Sequence, residues 1–382
     1  MDEVVYTQDG LLADAEALLI VIASYDEQIT ALQAIDNTEG VPEVDSAKST
    51  SISELETKKT EAETALQEIY AKYDEITGID GSCAAQLEIR QNNIKIDELE
   101  ARLLAQEGQV GPWLPGESPA ELRAQIDALK LRNIRIEYSV QLAIDKKNYG
   151  EASLAYSALD SLKETLDNVR TLDEALDVLT LAKICREIGD KIVSGKYKEK
   201  NALPLEGERF WGRTMPALNP TERLLSIMYP IESRMALFAG MEVRDKFFGG
   251  TLTGLAEEND AFRHMAWSAT LTYMAGAEFA KLWTNAHEYG YPDRFRDDYL
   301  ETKMDLHNNS VGIEIGNNLP AIPIDLSSGI DYGVHAPFDL FTLFPRIESD
   351  VRDALTSGKA VIVSNGQLVP TTGSQPNSAS YE

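Results

Sequence analysis

The chain has 382 residues, 43% hydrophobic and 26% charged, with a formal net charge of −28; that length suits two or three domains. So acidic a chain repels phosphate backbones, which excludes broad nucleic-acid binding and leaves a confined pocket as the only route to such a substrate. No apolar run reaches the roughly 18 residues of a membrane span, and Met1-Asp2-Glu3 lacks the basic start of a secretory signal, so the expectation is cytoplasmic synthesis, with export only by a signal-independent machine or inside a particle.

Residues 1–150 read as long helices. Leu11, Leu18, Ile22, Tyr25, Ile29 and Leu32 keep heptad steps, as do Ile52, Leu55, Ala62, Leu66, Ile69, Tyr73 and Ile76. Such stripes bury one face against a partner helix. Gly40 with Pro42, and then Gly78 to Ser82, break the helices. A third helix over 84–106 offers Leu87, Ile94, Ile96, Leu99 and Leu103, and Ser118-Pro119-Ala120-Glu121 starts a fourth with a capping box. Short connections predict antiparallel neighbours and self-association or partner helices through the seams. The 23 acids against 6 bases in residues 1–100 are the solvated exterior of this coiled coil.

Two further helices, over 151–169 and 172–192, form a connector through residue 204, the second capped by Thr171 with Glu174. The C-terminal domain then spans 205–370. Asn219-Pro220-Thr221-Glu222 opens a helix that Pro230 interrupts and that resumes to Phe248. Helical patterns cover 259–288, with a break at Gly276, then Met304 to Gly316, and Phe338 to Leu355. Ala360 to Val363, Asn365-Gly366 and Leu368-Val369 read as a β-hairpin with a type I′ turn, and 371–382 as a flexible tail. The fold class is therefore mainly α: an antiparallel coiled-coil or helical bundle, then a compact, mostly helical domain with a small terminal hairpin. Cys83 and Cys185 fit no metal or redox spacing and read as packing residues. Trp113 and Phe210-Trp211 read as core or interface anchors.

Chemistry concentrates in the last third. Three of the four His lie in one short span, each beside other polar groups: Asp260 and Arg263-His264, His287-Glu288, and Asp305-Leu306-His307-Asn308-Asn309. Asp260 and His264 share one helical face, so the acid can orient the imidazole. Imidazoles, carboxylates and amides serve a divalent metal such as zinc, or an acid/base site. The candidate catalytic residues are His264, His307, Glu288 and Arg263, and the candidate metal ligands His264, His287, Asp305 and His307. The alternative is a satisfied buried network with no chemistry. His335, between Gly333 and Pro337, reads as a loop residue.

The combination of Asn259 to His264 with Trp267, Ala286-His287-Glu288, and Met304 to Asn309 with Gly312 resembles a domain of unknown function found at the C-termini of bacterial secreted and polymorphic toxin-like proteins. The resemblance implies a compact, mostly helical domain in which these motifs converge, and a delivered effector payload. It supplies the candidate positions without roles. The expected function is an effector with a hydrolase-like C-terminal domain and a coiled-coil delivery or oligomerisation region; the alternative is a structural component of a phage virion or contractile injection particle.

Overall fold

A computed structural model describes residues 7–34, 42–106, 111, 113–204, 209–210, 213–214, 217–248, 258–319 and 338–372. His335, Trp211 and the tail beyond Thr372 lie outside the described residues. The described structure is mainly helical with a short C-terminal hairpin, as the patterning predicts. The chain divides into two compact units, 1–144 and 145–382.

The first unit contains α1 (Gln8–Ala34), α2 (Pro42–Thr77), α3 (Ser82–Gln106) and most of α4 (Pro119–Tyr149). Lys59 of α2 pairs with Asp26 of α1 at 2.7 Å, while Leu11, Leu12 and Ala15 pack with Leu66 and Tyr73. Residues early in one helix thus meet residues late in the other, so α1 and α2 run antiparallel. Gly78 and Gly81 take positive φ in the α2–α3 turn, where the Asp74 carboxylate accepts hydrogen bonds from the Gly81 and Cys83 amides. α3 and α4 are also antiparallel, packed through Ile96, Leu99, Leu122 and Ile126. Their seam is not wholly apolar. Asn92 donates to Asn133 at 2.7 Å and Asn133 to Asn93 at 2.9 Å. Buried amides of this kind fix register because a slipped pairing leaves them unsatisfied. Ile94, expected in the seam, is exposed, as is Ile76; in α3 the buried stripe runs through Asn92 instead.

The second unit begins with α5 (Leu154–Asn168) and α6 (Leu172–Val193), the expected connector helices. They pack directly on the later helices. Thr165 Oγ1 donates to the Tyr289 carbonyl at 2.7 Å and Ser161 Oγ to the Gly290 carbonyl at 3.1 Å. α6 starts with the capping box of Thr171 and Glu174, and α7 (Pro220–Met228) with that of Asn219 and Glu222. Two two-residue strands, β1 (Arg209–Phe210) and β2 (Arg213–Thr214), pair antiparallel ahead of α7. α8 (Pro230–Phe248), α9 (Glu258–Ala275), α10 (Ala277–Tyr289), α11 (Pro292–Asp297), α12 (Tyr299–Asn317) and α13 (Phe338–Thr356) follow, then β3 (Val361–Ser364) and β4 (Gln367–Pro370). Asn365 and Gly366 both take positive φ between β3 and β4, as a type I′ turn requires.

α9 is the centre of this unit. It is buried nearly all round, as the run Ala261, Phe262, Met265, Ala266 and Ala269 dictates, and shares one core with Phe238, Phe344, Ile347 and Val351. α12 lies unusually close to it. A Cβ at Gly312 would collide with Ser268 Oγ and the Met265 carbonyl, and one at Gly316 with the Ala269 carbonyl and Thr272. These two glycines, four apart on one face, let the backbones touch. That approach carries the polar residues of α12 to those of α9.

Candidate functional site

Asp260 sits in the first turn of α9, where the helix dipole favours a carboxylate, and His264 one turn later on the same face. Glu288 projects from the end of α10, Asp305 and Asn309 from one face of α12. All five are buried. His264 is the hub. Its Nε2 faces Asp305 Oδ1 at 3.3 Å and Asp260 Oδ1 at 3.7 Å; its Nδ1 faces Asn309 Oδ1 at 3.2 Å and Glu288 Oε1 at 3.5 Å.

The hydrogen-bond chemistry fixes the tautomer. Arg263 Nη2 lies 3.0 Å from His264 Nε2, and a guanidinium can only donate. Nε2 therefore accepts and Nδ1 carries the proton, donating to Asn309 Oδ1. Asn309 Nδ2 in turn donates to Glu288 Oε1 at 3.0 Å, which sets the amide orientation. Arg263 also pairs with Asp260. The result is a neutral imidazole held by a Glu288–Asn309 relay, its Nε2 lone pair accepting from Arg263 and flanked by the Asp260 and Asp305 carboxyls.

Electrostatics agree with that assignment. Burial, then the positive Arg263 and His287, hold the His264 pKa well below its ordinary value. Burial, then the Glu288 and Asp260 carboxylates, push Asp305 up to about 10. Burial likewise raises Glu288. Three carboxylates around one guanidinium leave an excess of two negative charges if all ionise, and a sealed interior does not sustain this. A proton or a cation must offset it. Asp305 Oδ1 is shielded from solvent and accepts no well-aligned hydrogen bond. Exposure rises from Glu288, at 1% of its side chain, through Asp305 at 12% to Arg263 at 24%, so the solvent edge of the cluster is the Arg263 side.

The structure gathers His264, Arg263, Glu288 and Asp305. It does not gather every expected ligand. His287 Nδ1 donates to Glu222 Oε1 at 2.9 Å; burial opposes its charging, yet Glu222 outweighs it and raises the pKa. His287 still packs edge-on against Trp267, as His264 does from a longer distance, so it stands beside the cluster without joining it. His307 points elsewhere: its Nε2 donates to the Lys359 carbonyl at 2.8 Å. Asn308 exchanges two bonds with the Val361 backbone, at 2.9 and 3.1 Å. Two of the four polar residues of the Asp-Leu-His-Asn-Asn run thus dock the hairpin. His307 and Asn309 both line a groove of about 410 Å³ shared with Lys303, Tyr289 and Val361. Asp260, expected to orient His264, and Asn309, expected without a role, complete the ring around the imidazole.

No curated protein and no solved structure matches the chain. One family, described as a domain of unknown function (DUF6973), matches residues 228–328, a span that runs from α8 through α12 and contains every residue of the His264 cluster.

Proposed function

We propose that the protein is an effector whose C-terminal unit hydrolyses its substrate at the His264 centre, with the first unit serving delivery or oligomerisation through its helical seams. One observation supports this above the rest: a neutral imidazole whose Nδ1–H is held by Asn309 and Glu288 and whose Nε2 lone pair accepts from Arg263 beside the Asp260 and Asp305 carboxyls. Imidazole kept unprotonated and locked in one tautomer is the arrangement that water activation uses. Glu288 acts through Asn309 as a positioning residue. Arg263, at the solvent edge, suits an anionic group of the substrate or the charge that develops during hydrolysis. The resemblance to toxin-like C-terminal domains supports the effector role.

Burial of the cluster favours a second reading, in which the polar ring locks the fold of a particle component. Expression of the full chain in bacterial cytoplasm or periplasm, with lipid, peptidoglycan and nucleotide substrates assayed in parallel, separates the two. The hydrolytic reading expects growth inhibition that His264→Ala relieves and turnover of one substrate class that it abolishes. Equal behaviour of wild type and variant contradicts that reading and leaves the structural one.

A further inference from the structure

The Nε2 side of His264 holds the donor set of a metal site. One ligand atom from each of Asp260, His264 and Asp305 lies within 4.8 Å of the others, and Nε2 stands 3.3 and 3.7 Å from the two carboxylate oxygens. Bonds of about 2.1 Å to one ion place neighbouring ligand atoms roughly 3–3.5 Å apart, so only small shifts would close the set. Asp305 Oδ1 is shielded from solvent and points into this space without a well-aligned hydrogen bond. The far side of the ring is also built for the purpose. A ligating imidazole characteristically donates its other N–H to an oxygen acceptor that fixes its orientation, and Nδ1 does this to Asn309, with Glu288 behind. Local charge has the matching sign.

We propose that Asp260, His264 and Asp305 bind one divalent cation of the zinc or manganese class. Two carboxylates and an imidazole suit such ions; calcium and magnesium prefer all-oxygen sets, and soft thiolate-seeking ions find no sulfur here. In the ion-free arrangement Arg263 stands in for the cation, donating to both Asp260 and His264 Nε2. Being partly exposed, it swings outward when the ion enters and then faces solvent as an anion-binding group. This deepens the hydrolytic reading: the role of the ion as Lewis acid towards a bound water rests on that reading, while the binding does not.

The test uses untagged full-length protein, stripped with EDTA, dialysed against Zn²⁺, Mn²⁺ or Mg²⁺, and read by elemental analysis and thermal melting. The expected result is one equivalent of zinc or manganese, with a melting rise of roughly 5–10 °C at a hundredfold excess over Kd. Asp260→Asn and Asp305→Asn, near-isosteric changes whose folding is checked by circular dichroism, should abolish the rise. Arg263→Gln should keep or strengthen binding, because it removes the competing cation. Wild type that binds no equivalent, or binding undiminished in the Asp260→Asn/Asp305→Asn double variant, overturns the site. Binding without hydrolysis supports the site and overturns the proposed function; hydrolysis that persists in stripped protein and still needs His264 overturns the catalytic role of the ion alone.

Discussion

The helix phase decides which polar residues of each motif reach the centre. On α12, Asp305, Asn309, Gly312 and Gly316 recur at steps of four, three and four and face α9, while His307 lies about 200° round from Asp305 at 100° per residue and meets the hairpin instead. On α10, Glu288 turns inward and His287 turns to Glu222. The sequence made the motifs visible as clusters of His and carboxylates. It hid which neighbour points inward, because consecutive helical residues point to different sides and the phase depends on tertiary packing. Asn309 was legible only as part of a run; its role emerges from the tautomer of His264. A paired expectation follows. His307→Ala should leave activity intact and cost about 0.5–1.5 kcal/mol, one net hydrogen bond. Asn309→Leu should abolish activity and cost about 1–3 kcal/mol or more, since it strips partners from both His264 and Glu288. Denaturant titration alongside the activity assay measures both; loss of activity in His307→Ala at unchanged stability would return that residue to the site.

At the scale of elements, the site depends on the closeness of α9 and α12. Gly312→Ala forces a Cβ into Ser268 and the Met265 backbone, and overpacking of this kind costs about 1–3 kcal/mol. It should also weaken activity without touching any polar residue of the site, as α12 shifts Asp305 and Asn309 away from His264. A Gly312→Ala protein with full activity and unchanged melting would refute the close approach. Glu174 ties α6 to α12. It completes the Thr171 capping box, bonds the Arg170 amide at 2.7 Å, and meets Lys303 Nζ and the Tyr299 hydroxyl at 2.7 Å each. Burial opposes its ionisation, but Lys303, the Arg170 amide and Tyr299 prevail and hold its pKa below the ordinary value. A carboxylate depressed in the folded state stabilises fully above its unfolded pKa, and that contribution is lost as pH falls through the folded one. Glu174→Gln should therefore be less stable than wild type at pH 7, by about 1–3 kcal/mol, with the gap closing below pH 4; a gap that widens on acidification contradicts the assignment. The cap itself was readable in Thr171-x-x-Glu174. The link to Lys303 was not, because it joins residues more than a hundred positions apart.

For the whole molecule, apolar periodicity and turn residues were enough for the class: the helices, the break at Gly276, all three capping boxes and the type I′ hairpin follow local rules that the fold obeys. The course of the seams was less readable, since Asn92 and Asn133 take buried places that an apolar count assigns to residues such as Ile94. Helices α5 and α6 belong to the second compact unit, held there by Thr165, Ser161 and Glu174. A fragment of residues 145–382 should melt cooperatively, and one starting at 205 should be less stable or insoluble, having lost the apolar face that Leu159, Leu162, Leu181 and Ile188 bury. Equal melting of the two fragments would show that α5 and α6 contribute nothing to this core. The central claim is that the His264 ring is a working site whose buried carboxyls oppose stability, and not a knot that supplies it. Asp305→Asn tests this most directly, because it removes an ionisable carboxyl with almost no change in shape. Burial, Glu288 and Asp260 raise the Asp305 pKa to about 10, against Arg263 and Arg294. A carboxyl raised above its unfolded pKa of about 3.9 makes no difference below that value and destabilises the fold increasingly as pH rises towards the folded pKa. Thermal melting in EDTA should therefore show Asp305→Asn more stable than wild type at pH 7, with the advantage shrinking towards pH 4. A variant that melts below wild type at pH 7 would mean that Asp305 holds the fold together, and would contradict the account.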